Sequence, residues 1–160
     1  MTVIGILQAR TNSTRLPGKV LKNILDEPMI LHQLRRLKKS VFLDDIIVAT
    51  SSEKSDDDLA IVCAAAGYRV FRGSLDDVLD RFVQAIKNNS YDHVVRLTAD
   101  CPLTDPNVID KIIERHLQSG SDYTCNTLNP TYPDGLDAEV FKISALLYAW
   151  ENAVLPSHRE

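Results

Sequence analysis

Four apolar, β-branched runs, Thr2–Leu7, Ile46–Thr50, Tyr68–Phe71 and His93–Leu97, alternate with stretches whose apolar residues recur at helical spacing. Ile30, Leu31, Leu34 and Leu37 share one helical face after the first run, and Leu59, Val62, Cys63 and Ala66 share one after the second. Leu75, Val78, Leu79, Phe82 and Ile86 follow the third, and Val108, Ile109, Ile112, Ile113 and Leu117 follow the fourth. Helical crossovers of this length permit parallel pairing, so the pattern predicts an α/β fold. The expected form is a three-layer α/β/α sandwich around a mostly parallel, Rossmann-like sheet. Local signals place the helix ends. Pro28 suits a first turn, Ser74 and Asp77 have capping-box spacing, Asp105-Pro106 marks a start, and Gly67 marks a stop. Beyond Gly120 the pattern predicts a strand over Asp122–Asn126 and a strand in which Leu136, Ala138 and Val140 alternate. A last helix should bury Ile143, Leu147, Trp150 and Val154.

At 160 residues the chain is the size of one domain, and a single domain over 1–160 is expected. A net charge of −4 argues against a general affinity for nucleic acid or an anionic membrane surface. Three cysteines, Cys63, Cys101 and Cys125, are too scattered for a disulfide framework or a zinc site. With neither a leader pattern nor an apolar run approaching about 20 residues, the expected location is the cytoplasm.

In an open parallel sheet, ligands bind outside the carboxyl ends of the strands. That rule brings residues 8–19, Thr50–Ser52, Arg72–Ser74 and Thr98–Pro102 to one rim. The first of these carries the densest chemistry. Arg10, Arg15 and Lys19 are three cations within ten residues, Asn12, Ser13 and Thr14 add hydroxyl and amide groups, and Gly18 permits close backbone approach. No core absorbs that many donors, so the segment reads as an anion site that wraps a nucleoside triphosphate. It is not a Walker A loop, and no Gly-x-Gly-x-x-Gly follows the first strand, which argues against a nicotinamide or flavin site. Asp100, just past the fourth strand, has two readings by position: a Mg²⁺ ligand bridging to phosphates, or a loop aspartate capping the backbone. Cys101 has no histidine near it in sequence to activate it and reads as a small buried side chain.

These residues carry a family resemblance. Gln8-Ala9-Arg10 through Lys19 resembles the Gln/Arg-Ala-Arg-x-x-Ser-x-Arg-x-x-x-Lys signature of cytidylyltransferases that activate acidic sugars as CMP derivatives. The chain is most similar to an acylneuraminate cytidylyltransferase-like branch associated with spore-coat polysaccharide biosynthesis. It shares with that branch Phe71-Arg72-Gly73-Ser74, Asp77-Val78-Leu79 with Arg81, the Arg96–Leu103 segment, and Pro133–Phe141. The resemblance implies a sandwich of the nucleotide-diphospho-sugar transferase type, with CTP and an acidic sugar as substrates and Mg²⁺ as cofactor. It implies that Arg10, Lys19 and Asp100 form the catalytic set and that Asp100 binds the metal. Arg10, Arg15 and Lys19 would hold the triphosphate, Gln8, Ala9, Asn12 and Ser13 would also bind the nucleotide, and Ser51, Ser52, Arg72, Gly73 and Ser74 would line its base and ribose. Asp137 and Glu139 either face the sugar, as the resemblance implies, or form an ordinary solvent-facing pair.

Family members continue for several tens of residues past the position of Glu160, and their tail usually carries a second metal-binding aspartate. The expectation is therefore a domain short of its C-terminal part. A nucleotide-binding module without turnover is the alternative that follows. A sugar-nucleotide-dependent glycosyltransferase ranks lower, because Ala99-Asp100-Cys101-Pro102 lacks the Asp-x-Asp motif usual there. A homodimer through the Tyr123–Tyr132 segment and the last helix is expected by family analogy only.

Overall fold

A computed structural model describes residues 1–160. Strand β1 (Val3–Gln8) is the hub of the sheet, because its side chains from Val3 to Leu7 are apolar or glycine and buried on both faces. It pairs in parallel with β4 (Asp45–Ser51) on one side and β6 (His93–Thr98) on the other, with Gln8 opposite Ala49 and Thr98. β5 (Arg69–Gly73) continues the parallel set beyond β4. On the other flank β8 (Glu139–Lys142) runs antiparallel to β6, and β7 (Tyr123–Cys125) closes that edge, giving the order β5-β4-β1-β6-β8-β7. A short hairpin, β2 (Asn23–Ile24) with β3 (Glu27–Pro28), stands apart from the sheet.

Alternation along the strands divides the core in two. Val3, Leu7, Val48, Val95, Leu97 and Val140 point toward helices α1 (Met29–Leu37), α2 (Asp57–Ala65) and α4 (Pro106–Ser119). Ile4, Ile6, Ile47, Ala49, Val94 and Phe141 point toward α3 (Val78–Ile86) and α5 (Ile143–Asn152). The result is the three-layer sandwich that the alternation predicts. No helix is long and apolar enough to cross a membrane.

Several local expectations need correction. Pro28 is the N-cap of α1 rather than a first-turn residue. Ala66 lies past the end of α2 and is exposed. α3 starts three residues later than the Ser74 signal suggests. Asp77 is its cap, accepting from Asp80 N at 2.8 Å, while Ser74 Oγ accepts from Asp77 N at 3.0 Å. In α5 it is Leu146, not Leu147, that is buried, and Val154 lies outside the helix and is exposed. The Trp150 indole donates to Asp80 Oδ1 at 2.9 Å and ties α5 to α3. Leu136 and Ala138 keep the predicted alternation toward the core, although the ladder itself begins only at Glu139.

A histidine pair closes the sheet's far end. His93 Nδ1 lies 3.0 Å from His116 Nε2, and His116 Nδ1 lies 2.9 Å from Thr124 Oγ1, with both rings buried. Only one proton fits between the two rings. Burial pushes both pKa values below the ordinary histidine value, and the mutual repulsion lowers that of His116 further. The folded chain therefore binds fewer protons than the unfolded chain. Its stability should be complete above about pH 6.5 and fall as pH drops toward the lowered folded values. Melting temperature measured from pH 7.5 to 5 should decline, and His116→Gln should flatten that slope.

Candidate nucleotide site

The order β4-β1-β6 places a topological switch point at β1, where crossovers leave to opposite sides of the sheet. The crevice there is a cleft of about 300 Å³ at the carboxyl ends of β1 and β6. It is lined by Gln8, Ala9, Arg10, Ser13, Thr14, Arg15, Lys19 and Val20 from one side and by Thr98, Ala99 and Asp100 from the other. Local sequence explains why the chain opens here. After Gln8 the apolar alternation stops, and Ala9 N bonds to Ala49 O at 3.1 Å before the backbone leaves the sheet.

One buried carboxylate ties the loop down. Asp56 is 1% exposed and accepts from Thr11 N at 2.8 Å and from Thr11 Oγ1 at 2.7 Å. Its other oxygen accepts from Ser51 N and Ser51 Oγ at the end of β4. Burial pushes its pKa up, but the hydrogen bonds from Ser51 and Thr11 outweigh that and hold it below the usual carboxylate range. The loop closes on itself as well, since Gly18 N donates to Thr11 O at 2.9 Å with Gly18 at φ +68°, a conformation that favours glycine. This returns the chain to the cleft. Lys19 then opens a short 3₁₀ turn, Lys19–Leu21.

The charges are unevenly compensated. Arg10 and Arg15 are exposed and engage no carboxylate. Lys19 Nζ lies 3.1 Å from Asp100 Oδ2, so the two walls of the cleft meet in an ion pair. Burial raises the pKa of Asp100, but a hydrogen bond from Thr98 and the nearby Lys19 bring it below its ordinary value, so it is ionised at neutral pH. Asp100 is the only carboxylate lining the cleft, and no cluster of three metal-ligating side chains exists. That donor set fits Mg²⁺, which is usually held by one or two carboxylates together with substrate phosphates.

The other sequence-derived candidates fall outside this cleft. Asn12 is exposed on the loop. Ser51 is fully buried with its hydroxyl committed to Asp56, whereas Ser52 is exposed and its N–H bonds to Gly73 O at 2.8 Å. Arg72 is engaged by Ser51 O and Glu53 O, both at 2.9 Å, and by Asp57 at 2.7 Å. Gly73 has no room for a side chain, because a Cβ there would lie 3.1 Å from Arg81 Cγ and 3.0 Å from the Phe71 ring. Ser74 is exposed, with its hydroxyl spent on Asp77 N. Asp137 is exposed, while Glu139 is ion-paired with Arg96 and accepts from Tyr123 Oη at 3.0 Å. Glu139 therefore belongs to a second, mainly apolar groove between α3 and α5, away from the cleft between Gln8 and Asp100.

Two residues here were not singled out from sequence as functional. Asp56 sits in the polar run Ser51–Asp58 among neighbours of the same type. Arg81, at 1% exposure, touches no carboxylate and donates to Ser74 O at 2.6 Å. Its sequence signals are its position, an arginine on the inward face of an apolar helix, and its place in the Asp77-Val78-Leu79 block of the family resemblance.

The profile of the family described as Cytidylyltransferase matches residues 4–156, nearly the whole chain. The chain belongs to the cytidylyltransferase family. Among curated members, the Spore coat polysaccharide biosynthesis protein SpsF of Bacillus subtilis is 40% identical over 149 residues, covering 91% of this chain and 61% of that protein. A 3-deoxy-manno-octulosonate cytidylyltransferase of Syntrophobacter fumaroxidans is 35% identical over 121 residues, covering 71% of this chain and 46% of that one. The chain thus spans less than two thirds of the length of these relatives. Among solved structures, a cytidylyltransferase from Leptospira borgpetersenii superposes with a TM-score of 0.94 at 36% identity, covering 100% of this chain and 68% of that one. The cytidylyltransferase fold is accordingly that of the structure described above, with the cleft at its switch point.

Proposed function

We propose that this chain forms the nucleotide-binding and catalytic core of a cytidylyltransferase that uses CTP to activate an acidic sugar. The products are a CMP-sugar and pyrophosphate, and the setting is cytoplasmic surface-polysaccharide synthesis. The observation that carries the reading is the cleft itself: a glycine-containing loop with two uncompensated arginines, faced by an Asp100–Lys19 pair, in a member of this family. The acidic sugar rests on the similarity to octulosonate cytidylyltransferases.

In this reading a sugar hydroxyl oxygen bonds to the α-phosphorus of CTP and gives up its proton to solvent water. The bond from that phosphorus to the bridging oxygen breaks, and pyrophosphate leaves with the electron pair. Arg10 and Arg15 hold the triphosphate, and their charge stabilises the leaving pyrophosphate. Lys19 is held at the cleft by Asp100 and supplies a third cation there. Asp100, with the substrate phosphates, would hold Mg²⁺, which when bound supplies further charge stabilisation on the phosphoryl oxygens. No covalent enzyme intermediate is required.

The test is pyrophosphate release from CTP, with and without Mg²⁺, across a panel of 3-deoxy-2-ulosonic and nonulosonic acids. Sugar-dependent release supports the reading. CTP binding without release for any acidic sugar would favour the second reading, a nucleotide-binding module, for which Asp100 standing as the cleft's single carboxylate is the motivating observation.

A further inference from the structure

Helix α1 carries one fully buried polar side chain, Gln33, on a face otherwise made of Met29, Ile30, Leu34 and Leu37. Its amide reaches across to the loop that follows β6. Gln33 Nε2 donates to Thr98 O at 2.9 Å and to Thr104 Oγ1 at 3.2 Å. Thr104, itself 1% exposed, donates from Oγ1 to Cys101 O at 2.7 Å. One helical turn on, Arg36 Nε donates to Thr104 O at 2.7 Å. The residues held at these points, Thr98, Cys101 and Thr104, bracket Asp100 on both sides. The stretch Ala99–Asp105 belongs to no helix or strand, so its buried carbonyls depend on these bonds for partners.

The same helix supports the opposite wall of the cleft. Val20, in the turn that begins with Lys19, packs into the core that contains Ile30 and Leu34, and Met29 N donates to Lys22 O at 2.9 Å. One rigid element therefore fixes both Lys19 and Asp100. Leaving Gln33 Oε1 buried without a partner is costly, and a leucine there would pack without that penalty.

We infer that Gln33 and Arg36 are positioning residues that set the Thr98–Thr104 loop so that Asp100 meets the divalent cation carried by the nucleotide phosphates. This rests on the reading of Asp100 given under the proposed function. Rigid support matters because a carboxylate misplaced by about 1 Å loses much of its effect on a phosphate-bound metal.

The test uses the full chain and Mn²⁺ as the probe, with free Mn²⁺ followed by electron paramagnetic resonance in the presence of CTP. Gln33→Leu and Arg36→Met should each raise the Mn²⁺ dissociation constant roughly tenfold. CTP affinity without metal should stay within about twofold, and Arg36→Lys should recover only part of the loss. Melting temperature is recorded alongside; if Gln33→Leu fails to fold, the partly buried Arg36 carries the comparison. Unchanged Mn²⁺ affinity in variants of a wild type that binds Mn²⁺ and CTP overturns the inference alone, because α1 would then serve only the fold. A wild type that binds CTP but gains no Mn²⁺ site from it overturns both the metal role of Asp100 and the inference.

Discussion

Asp56→Ala is expected to destabilise the chain by about 3–5 kcal/mol, because it leaves several buried donors without an acceptor at once. The carboxylate takes Thr11 N, Ser51 N and Ser51 Oγ, which lose their acceptor, while its fourth donor, Thr11 Oγ1, also lies 2.8 Å from Ser55 O. For a domain of this size the loss corresponds to a fall in melting temperature of roughly 10 °C. Asp56→Asn should cost less, since the amide keeps one acceptor. The loss should also reach the cleft, because Thr11 is where the cationic loop is pinned and where Gly18 closes it. Nucleotide affinity should therefore drop even at temperatures where the variant is folded. The sign with pH follows from the lowered pKa. Asp56 contributes stability above the unfolded value of about 3.9, and that contribution disappears as pH falls through its lower folded value. Between pH 7 and 3, the gap between thermal melts of wild type and Asp56→Ala should narrow once pH falls below about 3.9. A constant gap across that range would contradict this account of Asp56.

Asp100→Asn is expected to reduce pyrophosphate release by about 10²–10³-fold, the scale seen when one preorganised electrostatic group is removed from an active site. The amide preserves shape and can still lie beside Lys19, so stability should change little: the ion pair is half-exposed and worth no more than about 1 kcal/mol. Freed from Asp100, Lys19 should bind the triphosphate at least as well. Metal-free CTP affinity should hold or rise while turnover collapses. A variant that lost CTP binding and turnover in proportion would instead assign Asp100 to nucleotide binding alone. Steady-state kinetics at saturating Mg²⁺, paired with calorimetry, separates the two.

The sheet and the cleft's first wall were legible because their signals are local. Runs such as Ile46–Thr50 and the density of donors between Arg10 and Lys19 are properties of short windows, and the switch-point rule needs only the order of elements. What local patterns do not carry is partner choice over distance. Asp56, Asp57 and Asp58 are equivalent in sequence; only the fold shows that Asp56 turns inward to Thr11, 45 residues away, while Asp57 pairs with Arg72. The resemblance puts Arg72 near the base and ribose; in the fold its guanidinium closes on the β4–α2 loop. Glu139 follows the predicted alternation, and the antiparallel pairing of β8 with β6 sets it against Arg96, outside the cleft between Gln8 and Asp100. Gln33 carries no signal in its own window, and its bonds to Thr98 and Thr104 appear only when α1 is seen against the loop after β6.

The central claim is that the Gln8–Lys19 loop holds the triphosphate of CTP. The most direct measurement is calorimetric titration of CTP and Mg²⁺ into wild type and into the double variant Arg10→Ala, Lys19→Ala, at one fixed salt concentration. Each charged contact is worth about 1.5–3 kcal/mol, so the account predicts saturable binding to wild type and a loss of at least about 10²-fold in the variant. Equal CTP affinity in the two proteins, or no binding to wild type, would contradict it.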